Sequence, residues 1–364
     1  MNVGREVTRG NALPLEEKTP LTTYDVSELR QRLASLPRLS LATLPTPLQE
    51  APRLSESLGG PRILIKREDL TGMAMGGNKI REFEYSIAQA VEAKCDVLLH
   101  SAAAQSNQSR QTAAVAARLG LRSVIVGRQD SHAQLQGNLL LSHLFGAEIN
   151  LPPMNEQGDT VKATMQRLRD EGCRPFNTSS DGADYRGIAY VDGFCELYDQ
   201  LQSMDVTPDA IYVCSGAHTH TGLVVAARAL GLPWRVVGVS PSERDDEKAA
   251  KQHVELAERH ARILDLDVEV TTKDLESYAE FVGEGYGIVT EGSQQALQVT
   301  AQTEGLLLDP CYSGKTMAGL MAHIDRGWWT KDHTIVFLHT GGTPALFAYA
   351  DELGLETPAL DGLD

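Results

Sequence analysis

Short apolar runs alternate with helical segments from Leu39 almost to the C-terminus, and this alternation leaves few folds open. Ile63–Lys66, Asp96–His100, Ser123–Val126, Ile149–Leu151, Ala210–Val213, Arg235–Val239 and Thr334–His339 read as strands. Between them, Asn78–Lys94, Asn107–Leu119, Asn138–Leu144, Thr160–Glu171, Gly187–Ser203, Gly222–Leu230, Asp245–Leu264, Ser293–Glu304 and Thr316–Arg326 read as helices. Repeated strand–helix–strand units imply parallel sheets covered by helices on both faces. There are more units than one sheet needs over 364 residues. The reading is therefore α/β, with two doubly wound, mostly parallel sheets and an active site in the cleft between them. Residues 1–35 are a polar lead with one short helix near Val26–Leu36. It reads as an arm, either packed on a partner subunit or mobile.

Charge and cysteine content narrow the function. Lys and Arg total 33 against 49 Asp and Glu, a formal charge of −16. That balance disfavours nucleic acid or an anionic membrane as the main partner. No apolar run is long enough to span a bilayer, and the first 22 residues lack a signal-peptide core. The five cysteines are scattered, with no C-x-x-C pair, which fits a reducing cytoplasm better than a disulfide framework. No metal site is expected. His253 and His260 lie in an acidic helical segment and read as part of a solvated face.

Four segments carry residues suited to chemistry. Gly76-Gly77-Asn78-Lys79 places a lysine at a helix start, where the helix dipole favours the neutral amine needed for a Schiff base. Taken alone it also fits an ordinary solvated lysine. Gln105-Ser106-Asn107-Gln108-Ser109-Arg110-Gln111 follows a strand. Ser106 is a suitable N-cap, and the run of polar side chains exceeds what capping requires, so the junction also suits a carboxylate. Ser215-Gly216-Ala217-His218-Thr219 joins a strand to a helix. It fits equally a capped connection and a phosphate cradle, and it matches neither the P-loop nor the dinucleotide fingerprint. Tyr286, Tyr312 and Ser313 lie in glycine-containing loops, and Gly341-Gly342 follows the last strand.

In this order, the segments resemble one family. Leu39–Leu48, Lys66–Arg81, Gln105–Leu119, Glu304–Leu320 and His339–Tyr349 are similar to pyridoxal-phosphate enzymes of the tryptophan-synthase β fold (fold type II). The branch is the one that holds D-cysteine desulfhydrase, 1-aminocyclopropane-1-carboxylate deaminase and L-cysteate sulfo-lyase. The resemblance implies pyridoxal 5′-phosphate as cofactor and a small amino acid as substrate. It implies that Lys79 carries the cofactor and then moves the Cα proton. Asn78, Ser215, Gly216, Ala217, His218 and Thr219 would hold the cofactor with Asn107, and Ser313 would face the pyridine nitrogen. Ser106, Asn107, Gln108, Tyr286 and Tyr312 would meet the substrate, with Ser106, Tyr286 and Tyr312 also near the reacting atoms. A homodimer is implied as well. So is a division into a large cofactor-binding domain, residues 36–79 and 191–364, and an inserted small domain, residues 80–190.

Ser313 bears on the reaction. The ring-opening deaminases are expected to have Glu there, which keeps the pyridinium protonated and the electron sink deep. A neutral hydroxyl supports a weaker sink, sufficient for α,β-elimination of sulfide or sulfite to give pyruvate and ammonia. His218 departs from the family's usual Gly or Ser, which keeps open a specialised β- or γ-elimination on a secondary-metabolite amino acid. The deaminase is the third reading. A scaffold without chemistry would have lost Lys79 or the Ser106–Asn107 pair, and all three are present.

Overall fold

The computed structural model describes residues 23–215, 218–242 and 247–353. Its larger sheet contains β1 (Leu48–Glu50), β2 (Arg62–Lys66), β7 (Ala210–Cys214), β8 (Arg235–Val239), β9 (Ser277–Tyr278) and β10 (Thr334–Leu338), in the order β1-β2-β10-β7-β8-β9. Only β1 runs antiparallel to its neighbour. The smaller sheet contains β3 (Val97–Ser101), β4 (Arg122–Val126), β5 (Glu148–Asn150) and β6 (Pro175–Asn177), in the order β5-β4-β3-β6, all parallel. The expected pair of mostly parallel sheets is therefore present. The sequence reading did not anticipate the short strands β1, β6 and β9.

The helices are α1 (Val26–Ala34), α2 (Pro52–Ser57), α3 (Asn78–Glu92), α4 (Asn107–Leu119), α5 (Gly137–Leu144), α6 (Gln157–Asp170), α7 (Ile188–Ser203), α8 (His218–Ala229), α9 (Glu247–Ile263), α10 (Glu291–Glu304), α11 (Ser313–Asp325) and α12 (Thr343–Leu346). Strand periodicity sorts them onto two faces. Leu64, Ile211, Val213, Val236 and Leu338 point to one face of the large sheet, where α1, α7, α8 and α9 cover them. Ile63, Ile65, Tyr212, Val237 and Phe337 point to the other, under α2, α10 and α11. Apart from α3, which leads in, the small sheet and its helices occupy the chain between β2 and β7. There Ile80, Phe83 and Ile87 of α3 pack with Leu98, Val115 and Phe176.

Two expectations need correction. The described part of the lead is not a free arm. Asp25 caps α1 through a capping box with Glu28, and Leu29 and Leu33 are buried against α7 and α8 residues of the same chain. Residues 1–22 lie outside the described residues. His260 is not on a solvated face. It is fully buried, because α9 turns it toward α8 and the glycine before α7.

A buried charge network fixes α3. Arg81 Nε donates to Glu68 Oε2 at 2.8 Å, and Arg81 Nη2 donates to Glu196 Oε1 at 3.1 Å. Lys66 Nζ also reaches Glu196, while Tyr190 Oη and Thr46 Oγ1 donate to Glu68. Burial alone would raise the Glu68 pKa, but Arg81 and then Lys66 hold it down at about 2. A depressed carboxylate contributes stability that is full above its unfolded pKa and lost as the pH falls through its folded value. Thermal unfolding should therefore show a loss between pH 4.5 and 2 that the Glu68→Gln variant lacks. Arg81→Ala, which strands two buried carboxylates, should cost about 3–5 kcal/mol in urea unfolding.

Candidate active site

The lysine loop is built on close backbone approach. Gly77 has φ +114°, a conformation that favours glycine, and a Cβ there would lie 2.6 Å from Gln111 Nε2. Arg110 Nη2 and Gln111 Nε2 of α4 donate to the Gly76 carbonyl at 2.7 and 2.9 Å. Asn78 N donates to the Thr340 carbonyl at 3.0 Å, and Asn78 Nδ2 donates to Thr219 Oγ1 at 3.0 Å. Lys79 therefore stands in the first turn of α3, as expected. Its amine lies 2.8 Å from Glu82 Oε1, which also accepts from Thr219 Oγ1 at 2.8 Å. Glu82 is fully buried, and its Oε2 has no partner among the described residues.

Thr219 reaches this cluster because α8 starts at His218, four residues before the expected Gly222. His218 and Thr219 are thus in the first helical turn rather than in a loop. Close packing explains the early start, since a Cβ on Gly222 would lie 2.2 Å from the Gly187 carbonyl. Burial pushes the His218 imidazole well below its usual pKa, with Arg186 adding to the effect, and its Nδ1 has no partner among the described residues. Ser215 is buried, 2.8 Å from Ser277 Oγ. Gly216 and Ala217 lie outside the described residues. His220, still in the first turn of the helix, is a buried structural group whose Nε2 meets the Val236 carbonyl.

A second group surrounds a cavity of about 190 Å³ lined by Gln105, Asn107, Arg128, Tyr286, Tyr312 and neighbours. Ser106 caps α4 by accepting from Ser109 N at 3.3 Å. Asn107 Oδ1 accepts from Asn138 Nδ2 at 2.8 Å. Gln105 Nε2 donates to the His132 and Gln136 carbonyls, holding the loop over the cavity, while Gln108 Nε2 is turned to the Thr178 carbonyl. The hydroxyls of Tyr286 and Tyr312 share a hydrogen bond, and the Arg128 guanidinium lies 5.8 Å from the Tyr286 ring centroid. Burial raises both phenol pKa values, so both stay protonated near neutral pH. Lys79 does not line this cavity; its amine is held by Glu82.

Ser313 lies between the two groups. As the first residue of α11 it is buried, and its hydroxyl donates to Asp309 Oδ1 at 2.7 Å and accepts from Asp309 N at 2.8 Å. The Asp309 carboxylate also accepts from Cys311 N, Tyr312 N and Ser313 N. Burial raises its pKa, and these donors oppose the rise. Gly342 closes the arrangement, since a Cβ there would lie 2.6 Å from Asp309 Cγ. Sequence reading missed Glu82 and Asp309, because an acidic residue in a helix or loop ordinarily reads as solvated.

Pyridoxal phosphate fits these residues. An amine stands beside the first turn of α8, held there through Glu82 and Thr219, and the start of that helix suits a phosphate, with the buried His218 Nδ1 unpartnered among the described residues. Residues 39–341 match the family described as pyridoxal-phosphate dependent enzymes, and the chain belongs to that family. Its cofactor is accordingly pyridoxal 5′-phosphate. Among curated relatives, a D-cysteine desulfhydrase of Serratia proteamaculans (strain 568) is 38% identical over 330 residues, covering 88% of this chain and 98% of the relative. One from Salmonella typhi is 37% identical over 324 residues, covering 87% and 97%. A crystal structure described as an ACC deaminase homologue superposes with a TM-score of 0.81 at 31% identity, covering 90% of this chain and 98% of that one. The diaminopropionate ammonia lyase of Escherichia coli in its apo form shares the fold, with a TM-score of 0.62 at 17% identity and 93% coverage of both chains.

The Asp309 geometry makes a stability prediction. Asp309→Asn turns an amide NH₂ toward at least one of the donors, and should cost about 1–3 kcal/mol in urea unfolding. Ser313→Ala removes one donor and should cost less.

Proposed function

We propose that the protein is a lyase that converts D-cysteine and water into pyruvate, ammonia and hydrogen sulfide. The observation that carries this reading is the likeness to D-cysteine desulfhydrases over 88% of the chain. The neutral Ser313 hydroxyl supports elimination over ring opening. Its one proton goes to Asp309, so toward a ring nitrogen it offers no charge of its own. Sulfite elimination from L-cysteate is the second reading, because the same residues would serve it.

When bound, the cofactor draws electron density away from the substrate's Cα. The protein's groups do the rest. Lys79 would hold the cofactor through its Nζ, and that amine, once free, would take the substrate's Cα proton. Ser215, Gly216, Ala217, His218 and Thr219 would hold the phosphate, with Asn78 also a cofactor-binding residue; Asn107 would hold the ring oxygen, and Ser313 would face the ring nitrogen. Ser106, Asn107 and Gln108, at the N-terminus of α4, bind the substrate carboxylate through N–H and hydroxyl donors. Tyr286 and Tyr312, protonated and sharing a hydrogen bond, supply a proton to the departing sulfur. The cavity, at the small end for ligand pockets, suits a three-carbon amino acid.

We further propose residues 36–79 and 191–364 as the large cofactor-binding domain and 80–190 as the small domain. The placement of β3 to β6 between β2 and β7 supports that division. A reducing cytoplasm fits the free cysteines, and no helix of the described residues is long and apolar enough to cross a membrane. A homodimer fits the exposed Leu140, Leu144 and Phe347 on the neighbouring α5 and the end of α12.

The holoenzyme should show an absorbance band near the visible edge that shifts with D-cysteine, and should release pyruvate. L-Cysteine and L-cysteate in separate cuvettes serve as comparisons. Pyruvate from L-cysteate alone would replace the sulfide reading with the sulfite one. Lys79→Ala should abolish both the band and turnover, and retained turnover would refute the assignment.

A further inference from the structure

Arg186 is a buried cation whose placement the fold constrains tightly. It follows a short turn, Ala183–Tyr185, and precedes α7. Glycines wedge this segment between three helices. A Cβ on Gly182 would lie 2.8 Å from the Ser86 carbonyl of α3. One on Gly187 would lie 2.0 Å from His260 Cε1 of α9, and Gly222 of α8 rests on the Gly187 carbonyl. His260 in turn lies with its ring centroid 6.0 Å from that of His218, the first residue of α8. The backbone of Arg186 is thus locked between the Lys79 helix and the first turn of α8.

The side chain is 7% exposed, and neither Nε nor Nη2 has a hydrogen-bond partner among the described residues. Both nitrogens are buried, and a buried guanidinium without acceptors is tolerated only at a cost to stability. Burial lowers the Arg186 pKa, with Glu82 opposing that, and burial followed by the Arg186 charge lowers that of His218. Glu82, however, already accepts from Lys79 and Thr219. Glu82 thus serves Lys79 and Thr219, and Arg186 is left without an acceptor of its own among the described residues, an arrangement completed by an anion with several oxygens.

We propose that Arg186 is a phosphate-binding residue, its guanidinium receiving the phosphate dianion of the cofactor at the first turn of α8. This rests on the reading of that turn as the phosphate site. It explains why a fold that pairs Arg81 fully leaves Arg186 unpaired. The arginine also makes the site selective for the phosphorylated cofactor, because pyridoxal without its phosphate offers this cation nothing to bind.

The test uses the full chain, as wild type, Arg186→Gln and Arg186→Lys. Pyridoxal 5′-phosphate and pyridoxal are titrated by absorbance, and melting of the cofactor-free protein is followed with and without inorganic phosphate. Arg186→Gln should weaken pyridoxal phosphate about 10- to 100-fold, the worth of a charged hydrogen bond. Pyridoxal binding should stay within about threefold, and Arg186→Lys should recover part of the loss. Without cofactor or phosphate, Arg186→Gln should melt no lower than wild type, and it should lose the stabilisation that inorganic phosphate gives the wild type. Unchanged pyridoxal phosphate affinity would overturn the proposal. So would equal loss of both ligands with a lower melting temperature, the mark of a structural role. Borohydride reduction separates this from the functional reading. If the wild type binds no cofactor at Lys79, both fall; if it binds there and Arg186→Gln matches it, only the Arg186 proposal falls.

Discussion

Two glycine turns meet where no side chain could fit, and the site depends on that contact. A Cβ on Gly341 would lie 2.8 Å from Gly77 Cα, and Asn78 N donates to the Thr340 carbonyl. The end of the last strand of the large sheet is thereby fastened to the loop that begins α3. The same loop is gripped from the other side by Arg110 and Gln111 of α4, which belongs with the small sheet. Both sheets therefore position Lys79. The turn after β10 also abuts Asp309 through Gly342, so the lysine and Ser313 are placed by one short stretch of backbone. Bulk at any of these glycines would separate groups that must act together.

Helix α3 shows buried charge used in two ways. At its base, Arg81 is met by Glu68 and Glu196, and every strong donor has an acceptor. Such a network resists change because removing one member strands the others. At the very next position, Glu82 keeps an oxygen without a partner among the described residues, and Arg186 has two nitrogens in the same state. Buried polar groups are paired in most folded proteins, so buried groups without partners among the described residues around Lys79 point to a ligand. The first set ties α3 to its neighbours, and the second leaves buried polar atoms near Lys79 without partners among the described residues.

The fold was legible because parallel strands buried on both faces leave continuous apolar runs, and Ser106 was legible as a cap because capping needs a particular side chain. The edge strands β1 and β9 were not, since two or three residues carry no period. The start of α8 was missed because His218-Thr219-His220-Thr221 has weak helix propensity, and tertiary packing against Gly187 overrides it. His260, Glu82, Asp309 and Arg186 share a different cause. Polar residues in helices and turns ordinarily face water, and only the approach of other elements buries them. Lys79, Asn107, Tyr286 and Tyr312 stood out because they sit in unusual local sequence, whereas their partners sit in ordinary sequence.

The Ser313–Asp309 pair shows how a buried carboxylate can tune chemistry without touching it. An ionised side chain at position 313 would impose a full charge on whatever ring atom it faced. The hydroxyl instead donates its proton to Asp309 and accepts from the Asp309 amide, so its orientation is fixed from both sides. A hydroxyl held this way presents a lone pair and can only accept. It favours a protonated partner, but more weakly than a carboxylate would. In the proposed elimination, that intermediate strength would suit expulsion of a good leaving group from the carbon beside the deprotonated one. The backbone donors around Asp309 keep the carboxylate in place, and the glycine turn after β10 keeps its back closed. Asp309 lies outside the cavity, and it acts on Ser313 only through the orientation it imposes on a single proton.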